Sequence, residues 1–258
     1  MGDLQTLPGL FISHGSPMLA LEPGQVGAAL ARISHNLPTP RAIVVMSAHW
    51  EDRALEVSVA TRPKTWHDFG GFPEALYQIQ YPAPGEPEIA ETILHVLQEA
   101  GIAAHANVTR PRDHGVWMPL LHMYPEADIP VVQMSLPMNM SPKQLLQVGE
   151  ALSILRTQQI LIIGSGSITH NLRELNWQGD ADVPNWASEF RNKVVHALQN
   201  QDYEAVLDWQ NLPHATRNHP TIEHLAPLFF AMGLGKRMSV IHASFTMGAL
   251  GMDLYRFD

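Results

Sequence analysis

The sequence predicts an α/β fold in which helices flank a central, mostly parallel sheet, and two observations lead to this prediction. Short apolar runs of strand length recur along the chain, and segments with helical periodicity lie between most of them. Strands that alternate with helices are typical of domains built on a parallel sheet. No linker or internal repeat interrupts the 258 residues. We therefore expect one domain, residues 1–258.

The predicted elements follow from these patterns. The apolar runs that predict strands are residues 10–12, 42–46, 131–134, 160–163 and 240–241. The periodic segments that predict helices are residues 24–33, 87–100, 141–155, 186–199 and 220–232. Two stretches, 61–87 and 108–119, have neither pattern. The aromatic residues of the first stretch predict an ordered loop packed over other parts of the molecule.

The composition excludes several classes of function. Hydrophobic residues make up 45% of the chain and charged residues 16%, which is enough apolar material for a large core. The net charge of −9 argues against nucleic acid and an anionic membrane surface as partners. Without cysteine there is no disulfide and no thiolate site, and we expect a cytoplasmic protein. No membrane helix or signal peptide is visible.

Three of the apolar runs lead into a histidine. The run at 10–12 is followed by His14, the run at 42–46 by His49, and the run at 160–163 by His170. In open α/β sheets the functional crevice lies outside the carboxyl ends of the strands. Taken alone, each histidine is explained equally well as a loop residue or as a helix cap. The repeated pattern favours a shared site.

A metal centre is the predicted use of these histidines, with His14 and His49 as the first two ligands. Three protein ligands with open positions are typical of catalytic zinc and of facial-triad non-haem iron. The third ligand is expected at the start of the helix at 220–232, from Glu223 or His224, and we favour His224. Alternatively, Glu223 stabilises the helix dipole beside a packed His224.

Two further segments carry candidate site residues. His114 can act as a second acid–base group or as a hydrogen-bond donor to the substrate. His67, Asp68 and Phe69 open a segment with two glycines and a second phenylalanine, which predicts a flap that contacts an aromatic ring. A structural Ω-loop is the alternative.

Other catalytic motifs are missing from the sequence. The glycines of Gly164-Ser165-Gly166-Ser167 fit neither a dinucleotide fingerprint nor a phosphate loop. Neither a G-x-S-x-G elbow nor an H-E-x-x-H helix occurs. Nucleotide chemistry and serine catalysis therefore have little support.

The histidine motifs taken together resemble those of the DOPA-dioxygenase-like group of class III extradiol ring-cleaving dioxygenases, which have the LigB-type fold. The motifs are His14-Gly15-Ser16-Pro17, Ser47-Ala48-His49-Trp50, His67-Asp68-Phe69-Gly70-Gly71-Phe72, Asp113-His114-Gly115, His170-Asn171 and Pro220-Thr221-Ile222-Glu223-His224. They occur in the family's order over nearly the whole chain.

The resemblance implies one non-haem iron(II) ion per chain on His14, His49 and His224. It also implies that His170 is the catalytic base, or an additional ligand when zinc occupies the site, and that His114 lines the substrate pocket. In the protocatechuate-cleaving branch the third ligand is a glutamate, so Glu223 stays an alternative to His224.

The implied reaction opens the ring of a catechol, DOPA-like or related, with dioxygen and gives a semialdehyde. We expect a monomer or a small homo-oligomer. A zinc-dependent hydrolase and a non-enzymatic binding protein, like the Memo adaptors, are the alternative functions.

Overall fold

An eight-stranded sheet forms the centre of the molecule in the computed structural model, which describes residues 6–179 and 181–258. The strands in chain order are β1 (Gly9–Ser13), β2 (Ala42–Asp52), β3 (Leu55–Ser58), β4 (Ala104–Asn107), β5 (Val131–Pro137), β6 (Ile160–Gly166), β7 (Met238–His242), β8 (Phe245–Thr246), β9 (Leu250–Gly251) and β10 (Leu254–Phe257). Their order in the large sheet is β4-β3-β5-β2-β6-β1-β10-β7, and β8 pairs with β9 separately.

The four central strands β5, β2, β6 and β1 run parallel, whereas β10 and β7 continue the sheet with antiparallel pairings. On the other side β3 pairs antiparallel with β5 and parallel with β4. The mostly parallel central sheet predicted from the sequence is confirmed.

Helices cover both faces of this sheet. They are α1 (Gly24–His35), α2 (Glu74–Tyr77), α3 (Pro87–Glu99), α4 (His114–Met123), α5 (Pro142–Leu152), α6 (Asn185–Gln199), α7 (Tyr203–Leu207), α8 (Ala215–Asn218) and α9 (Ala226–Met232). Within the described ranges, none of these helices is both long and apolar enough to span a membrane.

Alternating side chains of the strands divide the core into two layers. In β2, Val44 and Met46 point to the layer that includes α3, α5, α6 and α9. Ile43 and Val45 point to the opposite layer, which includes α1 and α4. All four side chains are buried. Because both faces of the sheet are covered, its central strands are apolar runs rather than alternating ones.

The predicted start of the last helix at Pro220 is wrong. The helix α9 begins only at Ala226, because the backbone before it hydrogen-bonds to the loop after β6. The His170 amide donates to the Asn218 carbonyl (3.0 Å), and the Ser167 amide donates to the carbonyl of His224 (2.8 Å). Glu223 and His224 therefore lie in a turn before α9, not one turn inside a helix.

The two stretches without a pattern lie against each other. The Trp66 amide donates to the Arg112 carbonyl (2.8 Å), and the Arg112 amide donates to the Lys64 carbonyl (2.8 Å). The indole of Trp117 also donates to the Trp66 carbonyl (2.9 Å). The ordered loop predicted at 61–87 is therefore confirmed. The second stretch is irregular only up to Asp113, since α4 begins at His114.

The helices α5 and α9 approach so closely that their contact has no room for a side chain at Gly149. A Cβ atom at this position would overlap the carbonyl oxygen of Phe230 and touch Gly233. Both atoms belong to the backbone, so neither can move aside unless the helices separate.

Replacing Gly149 by alanine should therefore destabilise the protein. Overpacking destabilises a protein by about 1–3 kcal/mol, whereas the higher helix propensity of alanine stabilises the helix by about 1 kcal/mol. We expect a net loss of up to about 2 kcal/mol in the free energy of unfolding, measured by urea denaturation. Gly70→Ala is the control, since a Cβ at Gly70 meets nothing within 4 Å. Equal midpoints for the two variants would contradict this account.

Candidate metal centre and substrate cavity

Three histidines meet at the carboxyl edge of the sheet, as the strand pattern predicted. His14 directly follows β1, His49 lies near the end of β2, and His170 follows β6. The Nε2 atoms of His14 and His49 are 3.0 Å apart. The ring of His170 stacks on that of His224, with the ring centroids 3.5 Å apart. Parallel neighbouring strands bring these side chains together because their carboxyl ends share one edge.

His14, His49 and His224 form a group whose ligand nitrogens all lie within 4.8 Å of one another. His14 and His224 are buried, and His49 is partly exposed. His170 belongs to a neighbouring group with Glu223 and His224. Among the residues that the structure describes, the first group is thus the one with three imidazoles.

The orientation of the His14 ring is fixed by Ser165 of β6. The Ser165 hydroxyl donates to the Gly115 carbonyl (2.5 Å), so its oxygen accepts from Nδ1 of His14 (3.0 Å). With the proton on Nδ1, the lone pair of Nε2 points toward His49. A hydrogen bond of this kind selects the tautomer of a metal-binding histidine.

Asp68 orients two rings at once. Its Oδ2 lies 3.5 Å from Nδ1 of His49, and its Oδ1 lies 2.9 Å from Nδ1 of His114. The same Oδ1 accepts from the backbone amide of His114 (3.0 Å) at the start of α4. Burial works to raise the pKa of the Asp68 carboxyl, but the hydrogen bond and charge of His114 outweigh it, and the pKa lies below its ordinary value.

His224 has its own acidic partner, because Oε1 of Glu223 lies 3.0 Å from its Nδ1. The Glu223 carboxylate therefore contacts the His224 ring, and it belongs to the group with His170 and His224 rather than to the group with His14 and His49. The turn carrying His224 lies directly on β6 at Gly166, where a Cβ atom would overlap the His224 carbonyl oxygen. A glycine at this position of β6 is thus needed for close backbone approach.

The pKa values of the clustered imidazoles are lowered. Burial, followed by repulsion from His114, lowers the pKa of His49 to about 3. Burial also lowers the pKa of His170 to about 4 and holds the pKa values of His14 and His224 well below 6.5. These rings are neutral at pH 7, and a neutral imidazole is the form that binds metal ions.

A buried carboxylate supports the floor of the site. Asp113 accepts from the Ser47 hydroxyl (2.7 Å) and from the side-chain amide of Gln133, and Nη2 of Arg110 lies 3.6 Å from it. Arg110 also donates to the carbonyl of His49 (2.7 Å). Burial raises the pKa of the Asp113 carboxyl. This network connects the strand of His49 with the start of α4.

A cavity of about 350 Å³ opens beside these rings, and we call it the histidine cavity. Its lining residues are His14, Gly15, Ser16, Pro17, His49, Phe69, Gly70, Phe72, His114, His170, Leu172, Leu175, Trp177, His224, Met247 and Leu250.

Of the three residues expected in a flap over the substrate, Phe69 lines this cavity. Its ring contacts that of His114 edge-on, with centroids 5.5 Å apart. His67 and Asp68 are not among the lining residues. The Nε2 atom of His67 bonds to the Ile79 carbonyl (3.0 Å), and its ring packs on Trp117.

Known proteins with similar sequences match this chain over most of its length. Residues 8–257 match the family described as the catalytic LigB subunit of aromatic ring-opening dioxygenase. The chain belongs to the LigB family. Its members open aromatic rings, so this protein is an aromatic ring-opening dioxygenase of the extradiol class, as the sequence predicted.

Individual relatives of this LigB-family protein agree with that assignment. A 4,5-DOPA dioxygenase extradiol of Beta vulgaris is 38% identical over 255 residues, which cover 96% of this chain and 95% of the relative. The protein of the same name from Escherichia coli (strain K12) is 37% identical over 230 residues, 88% of this chain and 84% of the relative. The crystal structure of an uncharacterized Escherichia coli K12 protein has a TM-score of 0.83 and 29% identity, and covers 98% of this chain and 100% of its own.

The family depends on a catalytic metal, and the histidine group fits one. The Nε2 atoms of His14 and His49 lie 3.0 Å apart. Two nitrogens bound to one ion at about 2.1 Å in neighbouring positions lie about 3 Å apart. Three neutral imidazoles also suit first-row metals.

Sequence reasoning missed Ser165 and the network around Asp113. Ser165 stood in a glycine-rich motif that was rejected as a phosphate loop, and its role depends on a residue 151 positions away. Asp113 was noted only as the neighbour of His114. Nothing in the local pattern signals either contact.

The hydrogen bond from His14 to Ser165 should strengthen metal binding. Removing such a partner typically costs about 10- to 100-fold in metal affinity, so Ser165→Ala should weaken binding of iron(II) or zinc by that factor. Competition with a chelator measures the affinity. Ser58→Ala is the control, since that buried hydroxyl, far from the site in β3, has no partner among the described residues. Unchanged affinity in a folded Ser165→Ala protein would refute this role.

Proposed function

We propose that this chain is an iron(II)-dependent dioxygenase that opens the ring of a catechol to a semialdehyde, with one metal ion on His14, His49 and His224. The observation that carries the proposal is the convergence of three neutral, buried or partly buried imidazoles whose far nitrogens are each held by a partner. Zinc has no redox chemistry. Ring opening with dioxygen therefore favours iron over zinc as the metal in this site.

A bound iron(II) ion would supply a Lewis acid for the two diol oxygens and the electrons that activate dioxygen. His170 accepts a proton from a diol hydroxyl. Its ring lines the histidine cavity and is neutral at pH 7 because burial lowers its pKa to about 4. It clusters with Glu223 and His224 rather than with His14 and His49, which favours the role of base over that of a resting ligand.

His114 stabilises negative charge that develops on the substrate or on dioxygen. Its Nδ1 is tied to the Asp68 carboxylate, which leaves Nε2 for the cavity. The Asp68 carboxylate fixes the orientation of this ring, so Nε2 is the nitrogen left to interact with the developing negative charge. Asp68 thus acts through His114 and His49 and not by touching the substrate. Phe69 covers the cavity and helps exclude water.

The proposal also covers the domain organisation, the substrates, the location and the oligomeric state of this chain. Residues 1–258 form one catalytic domain, which acts on a small aromatic diol and dioxygen in the cytoplasm as a monomer or small homo-oligomer. The family match over residues 8–257 supports the single domain, and the lack of cysteine agrees with a reducing compartment. DOPA is a candidate substrate because the relatives carry it in their names.

Oxygen uptake tests the reaction directly. The protein is stripped of metal, reconstituted with iron(II) without oxygen, and supplied with catechol, DOPA or protocatechuate in an oxygen-electrode cell. We expect one dioxygen consumed per diol and a product heavier than the diol by two oxygen atoms. Zinc-loaded protein should consume none. If no diol supports uptake by the iron-loaded protein, ring opening is refuted.

Single substitutions distinguish the proposed metal ligands from the proposed catalytic base. His14→Ala and His49→Ala should each lose stoichiometric metal, whereas His170→Gln should retain it and lose about 10²- to 10⁴-fold in turnover. Metal content and oxygen uptake are measured on the same samples. His95→Gln, an exposed histidine of α3, is the control. Full metal content in His14→Ala or wild-type turnover in His170→Gln would contradict the assigned roles.

A further inference from the structure

A larger groove continues from the histidine cavity along the protein surface. It has a volume of about 690 Å³, and we call it the side groove. Its wall shares Ser16, Phe72, Trp177 and Met247 with the histidine cavity. A substituent on an aromatic ring bound in the histidine cavity therefore has the side groove as its continuation.

The walls of the side groove are mainly apolar. Met18, Leu19, Phe245 and Met252 contribute to them. At the mouth of the histidine cavity, Trp177 is 59% exposed and Leu172 is 51% exposed. Large apolar side chains left in water gain free energy when another apolar group covers them. An apolar substituent on the substrate would cover both.

The described residues of both walls include no lysine or arginine. Among the described lining residues, the side groove carries a single charge, that of the exposed Glu22, and the histidine cavity carries no lysine or arginine. A carboxylate that entered the side groove would lose water without gaining a charged partner, and the nearest acidic group would repel it. Such unpaired burial of an anion is unfavourable.

The arginines behind the site are already engaged. Arg110 donates to the carbonyl of His49 (2.7 Å) and lies over the ring of Trp66, 4.7 Å from its centroid. Arg112 is buried and donates to the carbonyls of Ala83 (2.9 Å) and Val131 (3.2 Å).

Two further arginines, Arg173 and Arg217, lie near the mouth of the histidine cavity. Arg217 pairs with Glu174 at 3.0 Å. Arg173, next to Leu172, is exposed and does not line either cavity.

We propose that the side groove is a subsite for an uncharged, apolar substituent of the diol, so that alkyl- or aryl-substituted catechols are preferred over catechols that carry a carboxylate. This inference rests on the proposed ring-opening function and adds the substrate class. DOPA, the candidate suggested by the relatives' names, carries a carboxylate and is expected to be a poorer substrate, since the described lining residues of the two cavities include no lysine or arginine.

Three catechols of similar size test the subsite: 4-butylcatechol, 3-(3,4-dihydroxyphenyl)propanamide and 3-(3,4-dihydroxyphenyl)propanoate. The last two differ in charge and hardly in shape. We expect kcat/KM for oxygen uptake to be at least about tenfold higher for butylcatechol than for the propanoate, with the amide between them. Calorimetry on iron(II)-loaded protein without oxygen should give dissociation constants in the same order.

A lysine placed in the side groove should reverse the preference. Met18→Lys should raise the propanoate-to-butylcatechol ratio of kcat/KM by about tenfold or more, because the new cation pairs with the carboxylate. Met18→Gln has a similar length without charge and should not raise it. If Met18→Lys does not fold, Gln25→Lys makes the same comparison at an exposed residue of the side groove, with the wild-type glutamine as the uncharged control.

Each outcome bears on one proposal. If the wild-type protein prefers the propanoate, the subsite is refuted, and loss of that preference in Arg173→Ala would identify the anion's partner. If the folded lysine variants leave the ratio unchanged, the substituent does not lie in the side groove and the proposal fails. If no diol supports oxygen uptake but anaerobic binding keeps the expected order, the ring-opening function fails and the subsite stands.

Discussion

The parallel pairing of β1, β2 and β6 is the constraint on which the site depends. It brings the carboxyl ends of three strands to one edge, and its register places Ser165 beside both Ile12 and Ser47. Ser165 is therefore within reach of the His14 ring without any specialised loop. A site fixed to strands in this way is held more rigidly than one built on loops. Of the three proposed ligands, His224 comes from a turn, and its carbonyl accepts from the amide of Ser167.

The rings of His14, His49 and His224 each have a side-chain partner that orients them. His14 is held by a hydroxyl, and His49 and His224 are held by carboxylates. Acidic partners make imidazoles better ligands. Asp68 and Glu223 also place two acidic side chains around a site that would hold a divalent cation, so the charge of the ion is offset within the protein. The histidine cavity itself remains neutral and mainly apolar in its outer part.

Much of the site followed from the sequence, because strand ends and histidines are both local features. His14, His49 and His170 were found from apolar runs, and the structure groups His224 with His14 and His49 instead of Glu223. The predicted helix start at Pro220 was wrong because hydrogen bonds to the loop after β6 outweighed the local signal for a helix start. Contacts such as that between Ser165 and His14 join distant residues and leave no local pattern. The strand β10 was missed because four residues show no periodicity.

The position of β10 has a consequence for how the protein matures. It pairs with β1, and the Ser13 amide beside His14 donates to the carbonyl of Asp253 (3.0 Å). His14 is thus anchored by a segment that the ribosome makes long after it. Contacts between segments so distant in the chain slow folding, because the entropy of closing the loop is lost before the contact forms. A nascent chain that has exposed only His14 and His49 lacks both β10 and His224, so the grouping of these three histidines forms only after most of the chain has been made.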